Sequence, residues 1–143
     1  MKVKECIENN VYCLKPNNTI QDCAKIMSEN HVGSIPICDD NNSLVGIVTD
    51  RDVILRCIAC EKNCKTTLIS QIMTTDVCYC NQEDELNEVE KMMSINQIRR
   101  IPIVDNEKKV VGIITLGDLA KYNKQNSSDV LENICKCNEK NAE

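Results

Sequence analysis

The stretch IPICDDNNSLVGIVTDRD, residues 35–52, decides the fold because a related stretch occurs later in the chain. Residues 101–118 read IPIVDNEKKVVGIITLGD, and a shift of 66 residues aligns the two stretches without a gap. Matching residues continue at this offset from about Val3 to Arg56 and from Ile69 to Tyr122. One offset kept over so many positions indicates a single structural unit written twice.

The pattern of apolar and polar residues in each copy predicts the element order β-α-β-β-α. A short extended segment comes first (Val11–Leu14 or Val77–Cys80), and a helix follows it. A hairpin is expected next, since two apolar runs flank a polar turn. The predicted hairpin strands are Ile35–Cys38 and Leu44–Val48 in copy one, and Ile101–Val104 and Val110–Ile114 in copy two.

Helical spacing and capping residues place the helices. The first helix is predicted after the N-caps Thr19 and Asp84, because apolar residues then recur at helical intervals. These residues are Ile20, Cys23, Ala24 and Met27 in copy one, and Leu86, Val89 and Met93 in copy two. A second helix is expected after Thr49, with Val53, Ile54 and Ile58 on one side, and after Thr115.

The repeat sets the domain organisation. Residues 1–60 form copy one, 61–68 a linker, 69–122 copy two and 123–143 a polar tail, expected to be a loose end with at most one short helix. One copy of roughly 60 residues buries a marginal core. We therefore expect an α+β fold in which the two copies pack about a pseudo-twofold axis.

These motifs resemble the tandem cystathionine-β-synthase (CBS) domain, also called the Bateman module. The resemblance covers nearly the whole chain except its tail, and it rests on the two Ile-Pro-Ile and Val-Gly-Ile-x-Thr-x-x-Asp strings. It implies a stand-alone regulatory module that binds an adenosine nucleotide (AMP, ADP or ATP) in a cleft between repeats. It also implies a homodimer, and a separate regulated protein that receives the signal.

The Thr-x-x-Asp motif allows two interpretations. Thr49 and Asp52 are spaced as a capping box at a helix start. A carboxylate also accepts two parallel hydrogen bonds, as a ribose diol would donate, and a helix start suits a phosphate. The resemblance assigns ribose and phosphate contacts to these residues, with Thr115 and Asp118 as equivalents in copy two.

Positive charge points to the same site. The chain has four arginines: Arg51, Arg56, Arg99 and Arg100. The resemblance implies that Arg99 and Arg100 reach the phosphates of a ligand held mainly by the other copy, although a basic pair after a helix also complements its dipole. Copy two lacks a counterpart of Arg51, so the site at Asp52 is predicted to be the better nucleotide site.

Adenine needs an apolar slot. The candidates are Val11, Ile35 and Pro36, with Val77, Ile101 and Pro102 at the equivalent positions. Packing in the core is the alternative interpretation for each of them.

Composition excludes other function classes. The net charge of −5 and the 2% aromatic content argue against nucleic-acid partners. No apolar run is long enough for a membrane helix, and no signal peptide is recognised, so a cytoplasmic protein is expected. His31 is the only histidine, and no phosphate loop occurs, so the chain is not expected to be an enzyme.

Eleven cysteines are expected to be thiols, because their number is odd and their spacing is irregular. Cys57, Cys60 and Cys64 would share one face of a continuous helix. They favour either packing or, with the tail cysteines Cys135 and Cys137, a soft-metal site, and no metal site is assigned. Cys6, Cys13, Cys23 and Cys38 are interpreted as ordinary core or strand residues. A thiol-based metal or redox protein, or a purely structural dimerisation module, is the alternative function.

Overall fold

The computed structural model describes residues 1–7, 11–122 and 124–141, and within the last range it describes the side chains of 127–136. The strands are β1 (Ser34–Cys38), β2 (Leu44–Thr49), β3 (Cys80–Asn81), β4 (Arg100–Val104) and β5 (Val110–Thr115). The helices are α1 (Ile20–Asn30), α2 (Asp50–Asp52), α3 (Leu86–Asn96), α4 (Leu116–Tyr122) and α5 (Lys124–Asn141). A π-helical segment, Val53–Ile58, continues α2, and 3-10 turns span Val3–Glu5 and Ile69–Gln71. The mixture of helices and small sheets is the α+β class that the sequence predicts.

The chain forms two compact units. The first-hairpin unit consists of Tyr12–Val77 with Lys108–Val110, and the second-hairpin unit consists of Met1–Val11, Cys78–Glu107 and Val111–Glu143. Each unit therefore contains the hairpin of one sequence copy and the opening residues of the other copy.

In the first-hairpin unit, β1 and β2 pair antiparallel, with Ser34 opposite Thr49. This register brings the start of β1 beside the end of β2, where α2 begins. Of the predicted segment Val11–Leu14, Leu14 makes a parallel bridge to Ile37. The core of the unit is aliphatic and includes Ile20, Ile35, Ile37, Val48, Ile69 and Ile72.

In the second-hairpin unit, β4 lies between β3 and β5, and β3 runs parallel to β4 with Cys80 opposite Ile103. Its core includes Val3, Met93, Ile101, Ile103, Ile114 and Leu119, together with Val130 and Ile134 from α5. The tail is not the loose end that the sequence predicts, because it forms the 18-residue helix α5, on which Val130 and Ile134 lie four positions apart and are both buried.

The glycine of each Val-Gly-Ile string permits a close approach of the chain. A Cβ on Gly46 would lie 2.8 Å from Met73 Sδ and 3.0 Å from Thr74 O, while one on Gly112 would lie 3.2 Å from Ile7. Ile7 and Met73 are equivalent positions at the 66-residue offset. In each unit, the opening segment of one copy therefore crosses the hairpin of the other at its glycine.

Three local predictions are wrong. Helix α3 has Glu85 as its N-cap, without a side-chain cap bond, because Asp84 Oδ2 instead accepts the Asn81 N–H at 2.8 Å. After α2, Val53 and Cys57 are buried, whereas Ile54 and Ile58 are 54% and 58% exposed. The π-helical geometry separates Ile54 and Ile58 from the buried side. Ala24, predicted with the buried side of α1, is exposed.

The ends of α1 and α3 repeat at the backbone level. His31 and Gln97, which are 66 residues apart, end their helices with φ of 54° and 55°. Among the described residues, no helix has the length and hydropathy to cross a membrane.

Candidate functional site

The hairpin β1–β2 ends in a complete capping box. Thr49 Oγ1 accepts the Asp52 N–H at 3.1 Å, and Asp52 Oδ2 accepts the Thr49 N–H at 2.9 Å. The Asp50 N–H donates to Gly33 O at 3.0 Å, which ties the start of α2 to the residue before β1. The capping interpretation of Thr49 and Asp52 is therefore correct as local structure.

The Asp52 carboxylate retains hydrogen-bonding capacity beyond the cap. Its side chain is 15% exposed, and its Oδ1 lies 3.8 Å from Arg56 Nε. The Arg56 guanidinium is held by Ile72 O at 2.9 Å and by Thr74 Oγ1 at 3.3 Å. Since each carboxylate oxygen carries two lone pairs, Asp52 can accept further hydrogen bonds while it caps α2.

The second copy repeats this arrangement with greater exposure. Thr115 N–H donates to Asp118 Oδ2 at 2.9 Å, and Asp118 N–H donates to Thr115 Oγ1 at 3.2 Å. The Asp118 side chain is 34% exposed, and its Oδ1 lies 3.9 Å from Lys121 Nζ. Water screens an exposed ion pair of this length, so it is a weak interaction.

A third box shows that this geometry alone does not identify a binding site. At the start of α1, Thr19 Oγ1 accepts the Asp22 N–H at 3.1 Å, and Asp22 Oδ2 accepts the Thr19 N–H at 3.0 Å. The backbone and hydroxyl of Thr19 lower the pKa of Asp22 by hydrogen bonding to its carboxylate. The capping box of Thr49 and Asp52 thus has the same geometry as one at a helix start outside the repeated motif.

The structure describes each predicted arginine within its own unit. Arg51 is exposed in α2. The Arg99 carbonyl accepts the Leu116 N–H at 2.8 Å, the equivalent of the Gly33–Asp50 bond, so its backbone lies beside the start of α4. Arg100 is the half-buried first residue of β4. Arg99 therefore lies close in the fold to the cap residue Thr115 of the second-hairpin unit.

The predicted adenine-slot residues divide into two groups. Ile35 and Ile101 are completely buried in the cores of their units, and Pro36 and Pro102 are buried in β1 and β4. Val11 and Val77 are only half-buried. The partly exposed valines are thus the members of the predicted slot with side-chain surface left for a ligand.

A groove of about 360 Å³ lies elsewhere, between α3 and α5. Its lining includes Glu90, Lys91, Ile95 and Asp129. It contains no residue of the predicted adenosine site.

The cysteine cluster after α2 does not assemble as a metal centre. Glu61, with φ of 58°, ends the helical path, so Cys57, Cys60 and Cys64 do not share the face of a continuous helix. Cys57 Sγ lies 3.6 Å from Cys64 Sγ, while the exposed Cys60 thiol bonds to Leu55 O at 3.5 Å. Within the described part of the chain, no three His, Cys, Asp or Glu side chains converge as a metal site requires. The side chain of Cys137 lies outside the described residues.

One thiol contact was missed by the sequence analysis. Cys13 Sγ lies 2.9 Å from Cys38 Sγ, although the two residues are 25 positions apart. Neither residue stands out in the sequence, because the contact depends on the parallel bridge between Leu14 and Ile37.

Two α+β copies, each ending a hairpin in a capped Thr-x-x-Asp helix start, define a tandem-repeat protein. A family model for the CBS domain matches residues 3–58 and 69–124. The chain belongs to the CBS domain family and carries two copies of the domain. The sequence-based recognition of a tandem CBS pair is confirmed.

Relatives and solved structures share this architecture. The CBS domain-containing protein YhcV of Bacillus subtilis is 38% identical over 126 residues, covering 88% of each chain. The CBS domain pair of protein MJ0100, solved with 5-methylthioadenosine and S-adenosyl-L-methionine, is 30% identical with a TM-score of 0.76. That match covers 85% of this chain and 94% of the other.

Two further structures were solved with other ligands. CBSX2 in complex with AMP is 25% identical with a TM-score of 0.73, covering 87% of this chain and 96% of the other. Hypoxic Response Protein I with two coordinated zinc ions is 26% identical with a TM-score of 0.79, covering 86% and 99%. Similar CBS pairs therefore bind adenosine compounds, and one binds zinc.

Proposed function

We propose that this chain is a non-enzymatic regulatory CBS pair that binds an adenosine nucleotide (AMP, ADP or ATP) and signals to a partner protein by a conformational change. The observation that carries the proposal is the Asp52 carboxylate, which is largely buried, caps α2 and still has lone pairs for a ribose diol. The adenosine ligands of MJ0100 and CBSX2 support the ligand class.

The two copies are proposed to differ in affinity. Asp52 is followed by Arg56 and preceded by Arg51, whereas Leu116 and Gly117 precede Asp118. The Asp118 side chain is also more exposed, at 34% against 15%, so water competes more strongly for its hydrogen bonds. The copy-one motif is therefore proposed as the principal nucleotide site, with Thr49 contacting phosphate and Val11 contributing to the base slot.

Arg99 and Arg100 are proposed to supply phosphate contacts. An acidic protein that binds an anion needs a local concentration of positive charge, and arginine offers planar bidentate contacts to phosphate. The sign of the effect on a partner depends on which conformation binds nucleotide better, because a ligand shifts an equilibrium only by its differential affinity.

Thermal denaturation of the reduced chain with a ligand panel tests this function. We expect AMP, ADP or ATP to raise the melting temperature, since a ligand at 100 times its dissociation constant adds about 2.7 kcal/mol of stability. S-adenosylmethionine and adenosine provide the comparison. A panel with no shift at millimolar ligand contradicts the proposal and favours a structural role.

The same panel tests the arginines. The double variant Arg99→Gln, Arg100→Gln should weaken ATP binding more than adenosine binding, because adenosine has no phosphate. An equal loss for ATP and adenosine would show that Arg99 and Arg100 do not read phosphate.

We also propose that the chain forms a homodimer through an apolar surface on the π-helical segment. Ile54, Leu55 and Ile58, here called the Ile54 patch, are 54%, 47% and 58% exposed. Three large aliphatic side chains exposed within five residues form the kind of surface that protein interfaces cover.

Charge substitution tests the Ile54 patch. Ile54→Lys with Ile58→Lys should convert a dimer to a monomer in light scattering, since two buried ammonium groups oppose association. Ile95→Lys is the matched control, because Ile95 is 77% exposed on α3 and outside the patch. A wild-type monomer at tens of micromolar, or a dimer that survives the double substitution, would refute this interface.

A further inference from the structure

Cys13 and Cys38 form the shortest contact between thiols that the structure describes. Their Sγ atoms are 2.9 Å apart, compared with 3.6 Å for Cys57 and Cys64. The Cys38 side chain belongs to a residue only 2% exposed, whereas Cys13 is half-buried. Both residues belong to the first-hairpin unit.

Backbone hydrogen bonds hold the two cysteines in this position. The Leu14 N–H donates to Pro36 O at 3.3 Å, and the Cys38 N–H donates to Leu14 O at 2.8 Å. The residue after Cys13 is thus paired directly to the strand that carries Cys38. A disulfide of about 2.05 Å would require the sulfur atoms to approach by less than ~1 Å, which small side-chain rotations supply.

We propose that Cys13 and Cys38 are a redox site that forms a reversible disulfide when the protein meets a peroxide. Neither cysteine belongs to the Thr-x-x-Asp motifs. The redox site also differs from the cysteine cluster after α2 that the sequence singled out.

The environments of the two thiols assign their roles. A hydrogen bond from the Cys38 thiol lowers the pKa of Cys13. The same hydrogen bond, together with burial, raises the pKa of Cys38. The thiolate is the reactive form, and Cys13 is the more accessible of the two, so Cys13 is the group that attacks the oxidant.

The oxidation balances in two steps. The Cys13 thiolate attacks one oxygen of hydrogen peroxide, the O–O bond breaks, and hydroxide leaves and is protonated to water while Cys13 becomes a sulfenic acid. Cys38 sulfur then attacks Cys13 sulfur, the S–O bond breaks, and the Cys38 proton leaves with hydroxide as water. Two thiols have then lost two electrons and two protons, which a dithiol reductant returns.

Peptide mapping of the full wild-type chain tests the proposal. The reduced protein is treated with one equivalent of hydrogen peroxide, alkylated and digested with trypsin. Cys38 is the only cysteine in residues 26–51, whereas Cys13 shares residues 5–25 with Cys6 and Cys23, since Pro16 blocks cleavage after Lys15. We expect these two peptides to be cross-linked, with two hydrogens lost, and to separate after dithiothreitol.

Matched variants identify the partner of Cys38. Cys13→Ser should abolish the cross-link to residues 26–51, and Cys6→Ser, which alters the same peptide, should leave it intact. The double variant Cys57→Ser, Cys64→Ser should also keep it. Cys38 recovered fully alkylated from oxidised wild-type protein, or a cross-link that persists in Cys13→Ser, would overturn the assignment. Protection of both thiols by bound metal, measured in the same purified sample, would overturn it as well.

Discussion

Asp52→Ala should bind AMP or ATP more weakly than the wild-type chain by at least about 100-fold. Two charge-assisted hydrogen bonds from a ribose diol contribute roughly 1.5–3 kcal/mol each, and every 1.4 kcal/mol is a tenfold change in affinity. The loss should be smaller in Asp118→Ala, because that carboxylate is more exposed. Isothermal titration of each variant with AMP and ATP measures these effects.

Asp22→Ala is the control that separates ligand binding from helix capping. Asp22 and Thr19 make the same two hydrogen bonds as Asp52 and Thr49, with distances that agree within 0.1 Å. Loss of either box should cost about 0.5–2 kcal/mol of stability. Of these two variants, only Asp52→Ala should lose nucleotide affinity.

Two outcomes would contradict the site assignment. Wild-type affinity in Asp52→Ala would leave Asp52 with a capping role alone. An equal loss of affinity in Asp52→Ala and Asp22→Ala would mean that general loosening of the first-hairpin unit, and not contact with ribose, weakens binding. Urea denaturation of both variants shows whether their stabilities are matched.

The sequence predicts those parts of the fold that local chemistry controls. The strands of both hairpins lie within one residue of their predicted ends, because apolar runs and polar turns specify a hairpin locally. The caps at Thr19, Thr49 and Thr115 are also confirmed, since a hydroxyl and a carboxylate three residues apart satisfy each other's backbone. The repeat extends the hairpins and the Thr49 cap from copy one to copy two, but not the Thr19 cap, because its equivalent Glu85 makes no side-chain cap bond.

The sequence pattern does not predict contacts between segments that are distant along the chain. The sulfur contact of Cys13 with Cys38 follows from one parallel bridge, and the spacing of the residues along the chain does not encode it. Similarly, the opening residue Val3 is buried with the hairpin of copy two, while Ile69 is buried with that of copy one. A repeat identifies equivalent residues, but either hairpin offers an equivalent surface to each opening segment.

At the candidate site, too, the sequence predicts the local structure but not the contacts beyond it. Sequence and resemblance locate Thr49 and Asp52, and the structure describes how they bond to each other. The hydrogen bonds within the capping box do not distinguish a cap that binds ribose from one that does not, since Thr19 and Asp22 adopt the same arrangement. The distinction depends on hydrogen bonds to a second molecule.

A large loss of folding stability is expected from a substitution in α5, the helix that the sequence did not predict at its full length. Ile134→Ala should lower the free energy of unfolding of the second-hairpin unit by about 2–5 kcal/mol, the usual cost of truncating a buried isoleucine. Ile134 is 4% exposed and belongs to the same core as Met93 and Leu119. The substitution leaves a cavity there, and alanine does not weaken the helix itself, because it has the highest helix propensity.

Leu131→Ala is the matched control on the same helix. Leu131 is 41% exposed, so truncating it removes less buried surface and should change the stability by under about 1 kcal/mol. Urea denaturation followed by circular dichroism gives both values. Equal, small changes in the free energy of unfolding of the two variants would show that α5 does not pack on the core. A large loss of stability in Ile134→Ala alone would show that the polar tail of the sequence is part of the folded unit. The distinction comes from position on the helix, because both residues are aliphatic and of equal size.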